Sequence, residues 1–154
     1  MKRSPAIALA ATLAIGAFGV GAAAAPVDLS SGSSGFYSTP SEGVFSDLYT
    51  FTLASTQTVN VMLSSVVGGA QDVDLSSVFL TGPQGAVLNA SSFTGNPFES
   101  WIITDALLAP GQYTLTASGV NSGASGTYDG SIALSGSSAA PFTGGGCSEL
   151  HDEP

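Results

Sequence analysis

The side chains of this chain that could carry chemistry are almost entirely carboxylates. The sequence holds 11 Asp and Glu residues, 2 Lys and Arg residues and 1 His. That His, His151, lies in a Gly- and Ser-rich segment near the C-terminus, so a Ser-His-Asp triad would depend on an unordered base. Four Asp residues remain as candidates for acid–base work, but their spacing selects no reaction: Asp72, Asp74, Asp105 and Asp129. We therefore predict a protein that is not an enzyme.

Calcium is the ion that best suits these carboxylates. It takes about six to eight oxygen ligands, which loop Asp, Asn and backbone carbonyl groups can supply. Asp72 and Asp74 are two residues apart where a loop is expected to enter a strand, and Asp105, Asp129 or Asn89 would complete the site if the loops converge. The alternative is that these Asp side chains cap turns. Both interpretations stay open, and no other cofactor is predicted.

A further carboxylate lies within the strongest strand pattern of the chain. In 45–53, Phe45, Asp47 and Tyr49 fall on alternate positions and would share one apolar face. A buried carboxylate costs several kcal/mol unless it is hydrogen-bonded or bound to a cation, so Asp47 is a structural anchor or a ligand. We predict the structural role, in which Asp47 accepts hydrogen bonds from backbone or Tyr hydroxyl groups and fixes the register.

Three aromatic residues suggest a second kind of chemistry, the stacking of rings on a carbohydrate. They are Phe93, Phe98 and Trp101. The alternative is burial, and a lone Trp flanked by Ile102 and Ile103 is typical of a core position.

The N-terminus predicts export. Two cationic residues, Lys2 and Arg3, precede an apolar run over 6–20 and an Ala-rich segment, which is the layout of a secretory signal peptide. We predict a signal peptide at 1–24, cleaved after Ala24, and a protein that is secreted, extracellular or periplasmic. The run is shorter than a comfortable membrane span.

Cleavage would remove every Lys and Arg and take the formal net charge from −9 to −11. A surface without cationic side chains offers nothing to phosphate or sulfate groups. Nucleic acid, heparin-like polyanions and anionic membranes are therefore excluded as partners of the mature chain.

Short strand patterns separated by turn residues follow the signal peptide. The segments 45–53 and 57–64 are predicted to form a hairpin, and 75–81 is predicted to return as 86–89 through a Gly-Pro-Gln-Gly turn. We predict a polar loop over 90–97 and further strands at 100–104, 113–118 and 127–135. The pattern indicates an antiparallel, jelly-roll-like β-sandwich over 25–135.

The last segment, 136–154, is predicted to be a flexible acidic tail with one distinctive residue. Cys147 is the only Cys of the chain and follows three Gly residues. Because an exported protein meets oxidising surroundings, an accessible unpaired thiol tends to form intermolecular disulfides. We expect a Cys147-linked dimer or a mixed disulfide with a small thiol, and the alternative is an inert free thiol.

Several of these motifs carry a family resemblance. Phe45-Ser-Asp47-Leu-Tyr49, Asp74-Leu75 and 108–115 resemble the exported bacterial FxDxF-type proteins, which usually carry a PEP-CTERM sorting tail. The order of elements is also similar to the bacterial pre-peptidase C-terminal domain, a β-sandwich appended to secreted peptidases. The C-terminus departs from a PEP-CTERM tail, because it has no apolar run and no basic end.

The residues and the resemblance together favour a non-catalytic exported protein with a structural role at the cell surface or in an extracellular matrix. A protein with such a role is expected to self-associate. The alternatives are a module that binds calcium or an extracellular polysaccharide, and an accessory domain related to secreted peptidases.

Overall fold

The structure, a computed structural model, describes residues 23–95 and 97–135. These residues form β-strands joined by turns and two short 3-10 helices, Gly69–Gln71 and Pro83–Gly85. The strands in chain order are β1 (Ala25–Pro26), β2 (Ser33–Ser38), β3 (Gly43–Leu53), β4 (Gln57–Val66), β5 (Val73–Thr81), β6 (Val87–Asn89), β7 (Ser91–Gly95), β8 (Phe98–Leu108), β9 (Gly111–Asn121) and β10 (Tyr128–Ser135).

The strands build two five-stranded sheets. Sheet A has the order β1-β3-β9-β5-β6, and sheet B has the order β2-β10-β4-β8-β7. Every ladder is antiparallel except the short pairing of β1 with β3. The predicted antiparallel β-sandwich is confirmed.

The core lies between the two sheets and follows the alternation of apolar residues in the sequence. Tyr49 and Phe51 of β3 point inward from sheet A, and Val61 and Leu63 of β4 point inward from sheet B. All four are at most 5% exposed. Because successive side chains of a strand point to opposite faces, the long strands such as β3 and β4 bury one row and leave the other on an outer face.

The predicted hairpin between 45–53 and 57–64 is wrong. Both strands form, but β3 pairs with β1 and β9 in sheet A, whereas β4 pairs with β10 and β8 in sheet B. The link Ala54–Thr56 therefore crosses from one sheet to the other. Alternation fixes which face of a strand is buried but not the sheet to which it belongs, and strands in opposite sheets bury their apolar rows against each other.

The second predicted hairpin is confirmed, since β5 pairs with β6 at Thr81 and Val87. In the turn between them, Gln84 has φ 66° and Gly85 has φ 79°. Only Gly adopts this left-handed conformation without a steric cost, so the Gly at position 85 suits the turn and Gln84 is strained.

The predicted polar loop over 90–97 is wrong in its larger part, because Ser91–Gly95 is strand β7. It pairs with β8 on one side, and none of the other described strands pairs with it on the other side. All five of its residues are exposed, so the sequence shows no apolar alternation there.

Two sets of predictions lie outside the described residues. They are the signal peptide up to residue 22, and the tail from residue 136 with Cys147. Within the described part of the chain, no helix is long and apolar enough to cross a membrane.

Candidate functional site

A row of polar side chains crosses the inner face of sheet B at one end of the apolar core. Successive register pairs connect one residue from each of its strands: Ser38, Tyr128, Ser65, Glu99 and Thr94. We call these five residues the polar row. Two carboxylates make separate hydrogen-bond networks at this row: Asp47, which reaches it from sheet A, and Glu99, which belongs to it.

The first network contains Asp47, which the sequence singles out. Its Oδ2 atom accepts hydrogen bonds from Ser38 Oγ at 2.7 Å and from Tyr128 Oη at 2.6 Å. Tyr49 Oη lies 2.8 Å from Tyr128 Oη. Because Tyr128 donates its proton to the carboxylate, Tyr49 donates to Tyr128. The chain of hydrogen bonds ties β3 of sheet A to β2 and β10 of sheet B.

The two tyrosines of this network are buried among rings. Tyr49 lies 4.1 Å from Phe36 by ring centroids, and Phe45 stacks on Tyr128 at 5.7 Å. Burial raises the pKa of the Tyr49 hydroxyl, and the nearby Asp47 charge raises it further. Burial also raises the pKa of Tyr128, as does the hydrogen bond that it donates to Asp47. Both hydroxyl groups therefore stay protonated donors at neutral pH.

The second network contains Glu99, a residue that sequence reasoning missed. Glu99 is 5% exposed. Its Oε2 atom accepts from Leu75 N at 2.9 Å and Ser65 Oγ at 3.2 Å, and its Oε1 atom accepts from Trp101 Nε1 at 2.6 Å. The ladder between β5 and β9 shifts register between Leu75 and Ser77, which breaks the regular pairing beside the amide that Glu99 uses.

The three Asp residues proposed as calcium ligands lie at different places. Asp72 Oδ1 accepts a hydrogen bond from Gly68 N at 2.7 Å, and Asp74 is exposed in β5. Asp105 lies at a bulge of β8, where its amide donates to Asn60 Oδ1 at 2.8 Å. Six residues of β4, roughly 20 Å, separate Asn60 from Val66, the bridge partner of Asp72.

Within residues 23–95 and 97–135, no three His, Cys, Asp or Glu side chains are grouped so that they could hold a metal ion. Asp105 is therefore not brought to Asp72 and Asp74. Calcium binding through those two residues stays a prediction, which calorimetry on chelator-treated protein would test.

The outer face of sheet B presents exposed aromatic rings. Phe93 in β7 is 60% exposed and Phe98 in β8 is 57% exposed. Phe93 pairs with Ser100, two residues from Phe98 on the same face, so the two rings are diagonal neighbours. Met62 of β4, 50% exposed, pairs with Ile102 on this face. We call Met62, Phe93, Phe98 and Ile102 the aromatic face.

Trp101 does not belong to the aromatic face. It lies on the inner side of β8, packs against the core and donates to Glu99. Of the two interpretations of Trp101, the structure therefore favours the core position, where its side chain is partly buried. Phe93 and Phe98, by contrast, point to solvent.

A cleft of about 400 Å³ borders the aromatic face at the edge formed by β6 and β7. Phe93 and Ile102 line it together with polar groups from Asn89, Ser91 and Thr104. The described residues contain no Lys, Arg or His side chain. The arrangement therefore offers apolar rings, hydroxyl groups and an amide, but no group that would attract an anion.

Comparison with known protein families gives a match over the middle of the chain. The family model of the bacterial pre-peptidase C-terminal domain matches residues 45–119, which run from β3 into β9. No curated protein matches the chain. The resemblance to FxDxF-type exported proteins through Phe45, Asp47 and Tyr49 stays a prediction. From β3 to β9 the chain is similar to the pre-peptidase C-terminal domain, a non-catalytic β-sandwich module found in secreted peptidases.

Proposed function

We propose that this protein is a non-catalytic extracellular module that binds a neutral polysaccharide through the aromatic face of sheet B. The observation that carries the proposal is the pair Phe93 and Phe98, more than half exposed on an otherwise regular strand face. Exposed aromatic rings in a row provide flat apolar surfaces, which the C–H faces of sugar rings can stack on.

The surroundings of the two rings support a carbohydrate ligand. Ser64 and Ser100 are paired across β4 and β8 on the same outer face, and Asn89 and Ser91 line the adjoining cleft. Sugar hydroxyl groups need such donors and acceptors beside the stacking surface. The lack of cationic side chains in the described residues argues against an acidic polysaccharide.

The similarity to the pre-peptidase C-terminal domain supports the non-catalytic and extracellular parts of the proposal. A module that attaches a secreted protein to an insoluble matrix needs a binding surface but no catalytic site. The same arrangement would serve a matrix protein or an accessory domain of a secreted peptidase.

Co-sedimentation with insoluble cellulose and β-1,3-glucan tests the proposal. We expect the wild-type protein to pellet with at least one of them, and Phe93→Ala together with Phe98→Ala to abolish this. Val44→Ala is the matched control, since Val44 is 88% exposed on the outer face of sheet A. Equal binding by the double variant, or no binding of the wild type to either neutral polysaccharide, would contradict the proposal.

A further inference from the structure

Within residues 23–95 and 97–135, strand β7 has one backbone edge that no other described strand pairs with. It is the last strand of sheet B and, in this part of the chain, pairs with β8 alone, over Ser91 to Gly95. Such an edge can accept a further strand, and natural sheets usually block it with Pro, with a charged residue or with a very short strand. β7 contains no Pro and no charged residue and is five residues long.

The other sheet edges are protected. β1 and β6, the edges of sheet A, have two and three residues. β2 itself is uncharged, but its Tyr37 is paired with an exposed carboxylate of the next strand, Asp129 of β10. The described residues contain no Lys or Arg to neutralise this charge. Two copies joined through β2 would therefore bring the exposed Asp129 carboxylates of both copies towards the interface.

Among the residues that the structure describes, no exposed carboxylate is paired with β7. The part of β8 that pairs with it contains one carboxylate, Glu99, which is buried and accepts hydrogen bonds from three donors. For a strongly acidic chain, β7 is thus the sheet edge where a second copy meets the least repulsion.

The sequence of β7 is also complementary to itself. In an antiparallel pair centred on Phe93, Phe93 faces Phe93 of the second copy, Ser92 faces Thr94, and Ser91 faces Gly95. Aromatic pairs and Ser–Thr pairs across strands are stabilising. The central pair would lie on the outer face, beside Phe98 of each copy.

We propose that two copies of this chain associate through β7, in this register, to form one continuous ten-stranded sheet B. The interface is isologous, as in most homodimers. It joins the two aromatic faces into a single surface. Dimerisation does not depend on polysaccharide binding and is measured without any ligand.

Sedimentation velocity over a series of protein concentrations tests the dimer. A reductant is present so that a disulfide through Cys147 cannot contribute. We expect a reversible, concentration-dependent dimer that salt strengthens, because screening reduces the repulsion between two acidic copies. A single monomeric species at every concentration and salt level would overturn the proposal.

Substitutions at the edge locate the interface. Ser92→Glu should raise the dimer dissociation constant roughly tenfold or more, since the two Glu side chains become diagonal neighbours of like charge. Ser33→Glu is the matched control, because it adds the same exposed charge to β2 at the other edge of sheet B. Equal weakening by both substitutions would show that net charge, and not β7, controls association.

A mixing experiment separates the register from a folding defect. Ser92→Lys should also weaken the homodimer. An equimolar mixture of Ser92→Glu and Ser92→Lys should restore a dimer, because diagonal Glu and Lys side chains attract each other. If the mixture stays as monomeric as each variant alone, this register is wrong.

Discussion

At the scale of single residues, the Asp47 network makes a measurable contribution to stability. Asp47→Ala should lower the free energy of unfolding by about 1 to 3 kcal/mol, since Ser38 and Tyr128 lose their shared acceptor. Asp47→Asn retains an acceptor oxygen and should cost less. Urea unfolding of the three proteins measures this, and an unchanged midpoint for Asp47→Ala would contradict the role of the network.

The two buried tyrosines predict a loss of stability in alkali. Their pKa values are raised above the ordinary 10.0, so the fold favours the protonated hydroxyl groups. Their contribution to stability is fully present below about pH 10 and is lost as the pH rises through the raised pKa values of the folded protein. Thermal unfolding between neutral pH and strong alkali should show this decline.

A variant assigns the alkaline effect to the network. Tyr128→Phe removes one titrating hydroxyl and should make the decline with pH shallower. Tyr37→Phe serves as the control, because Tyr37 is 78% exposed and lies outside the network. Identical slopes for the wild type and Tyr128→Phe would show that burial of Tyr128 is not the cause.

Glu99 shows what residue types alone do not reveal. The residues that neighbour Glu99 in the sequence do not indicate that it is buried. The three donors that compensate its burial come from three different strands, and one of them is a backbone amide, which no residue type reveals. Glu99→Ala leaves those donors unsatisfied and should cost about 3 kcal/mol. Glu42→Ala, at an exposed position, should stay within about 0.5 kcal/mol of wild type. Equal midpoints in denaturant would disprove a structural role for Glu99.

At the scale of elements, alternation and turn chemistry predict most strands and little of their pairing. The apolar alternation of β3 and β4 is visible in the sequence because one face of each strand is buried. The Gly-Pro-Gln-Gly turn likewise predicts the hairpin of β5 and β6. The exchange of sheets between β3 and β4 depends on long-range pairing with β9 and β10. All residues of β7 are exposed, so its sequence has no alternation of apolar and polar residues from which a strand could be predicted.

The close approach of β9 to β5 gives a prediction for an element. A Cβ atom at Gly119 would clash with the Asp74 carbonyl oxygen at the bulge of β5, and backbone atoms cannot move aside easily. Gly119→Ala should therefore destabilise the protein by about 1 to 3 kcal/mol. At Gly35 a Cβ atom meets only the Gly130 carbonyl oxygen at 3.7 Å, so Gly35→Ala is the control. Equal melting temperatures would contradict the close approach.

At the scale of the whole molecule, the proposed function depends on which side chains share one face of sheet B, and the register of strand pairing decides this. The sequence places Phe93, Phe98 and Trp101 close together, but the pairing of β7 with β8 sends Trp101 to the core and the two Phe rings to solvent. The acidic composition, by contrast, restricts the choice of partners whatever the register of the strands. A neutral polysaccharide on one face and a second copy at one edge are both compatible with that charge.

Hydrogen exchange tests the central claim, since it locates the bound ligand; it is measured with and without a soluble oligosaccharide of whichever polysaccharide, cellulose or β-1,3-glucan, the protein pellets with. At fixed protein concentration, we expect slower exchange at Ser91–Gly95 and in the paired part of β8, and no change in β3 or β9. The Phe93→Ala, Phe98→Ala double variant should lose this protection. Protection confined to sheet A or to the segment around Asp72, or protection that survives in the double variant, would contradict a polysaccharide site on the aromatic face.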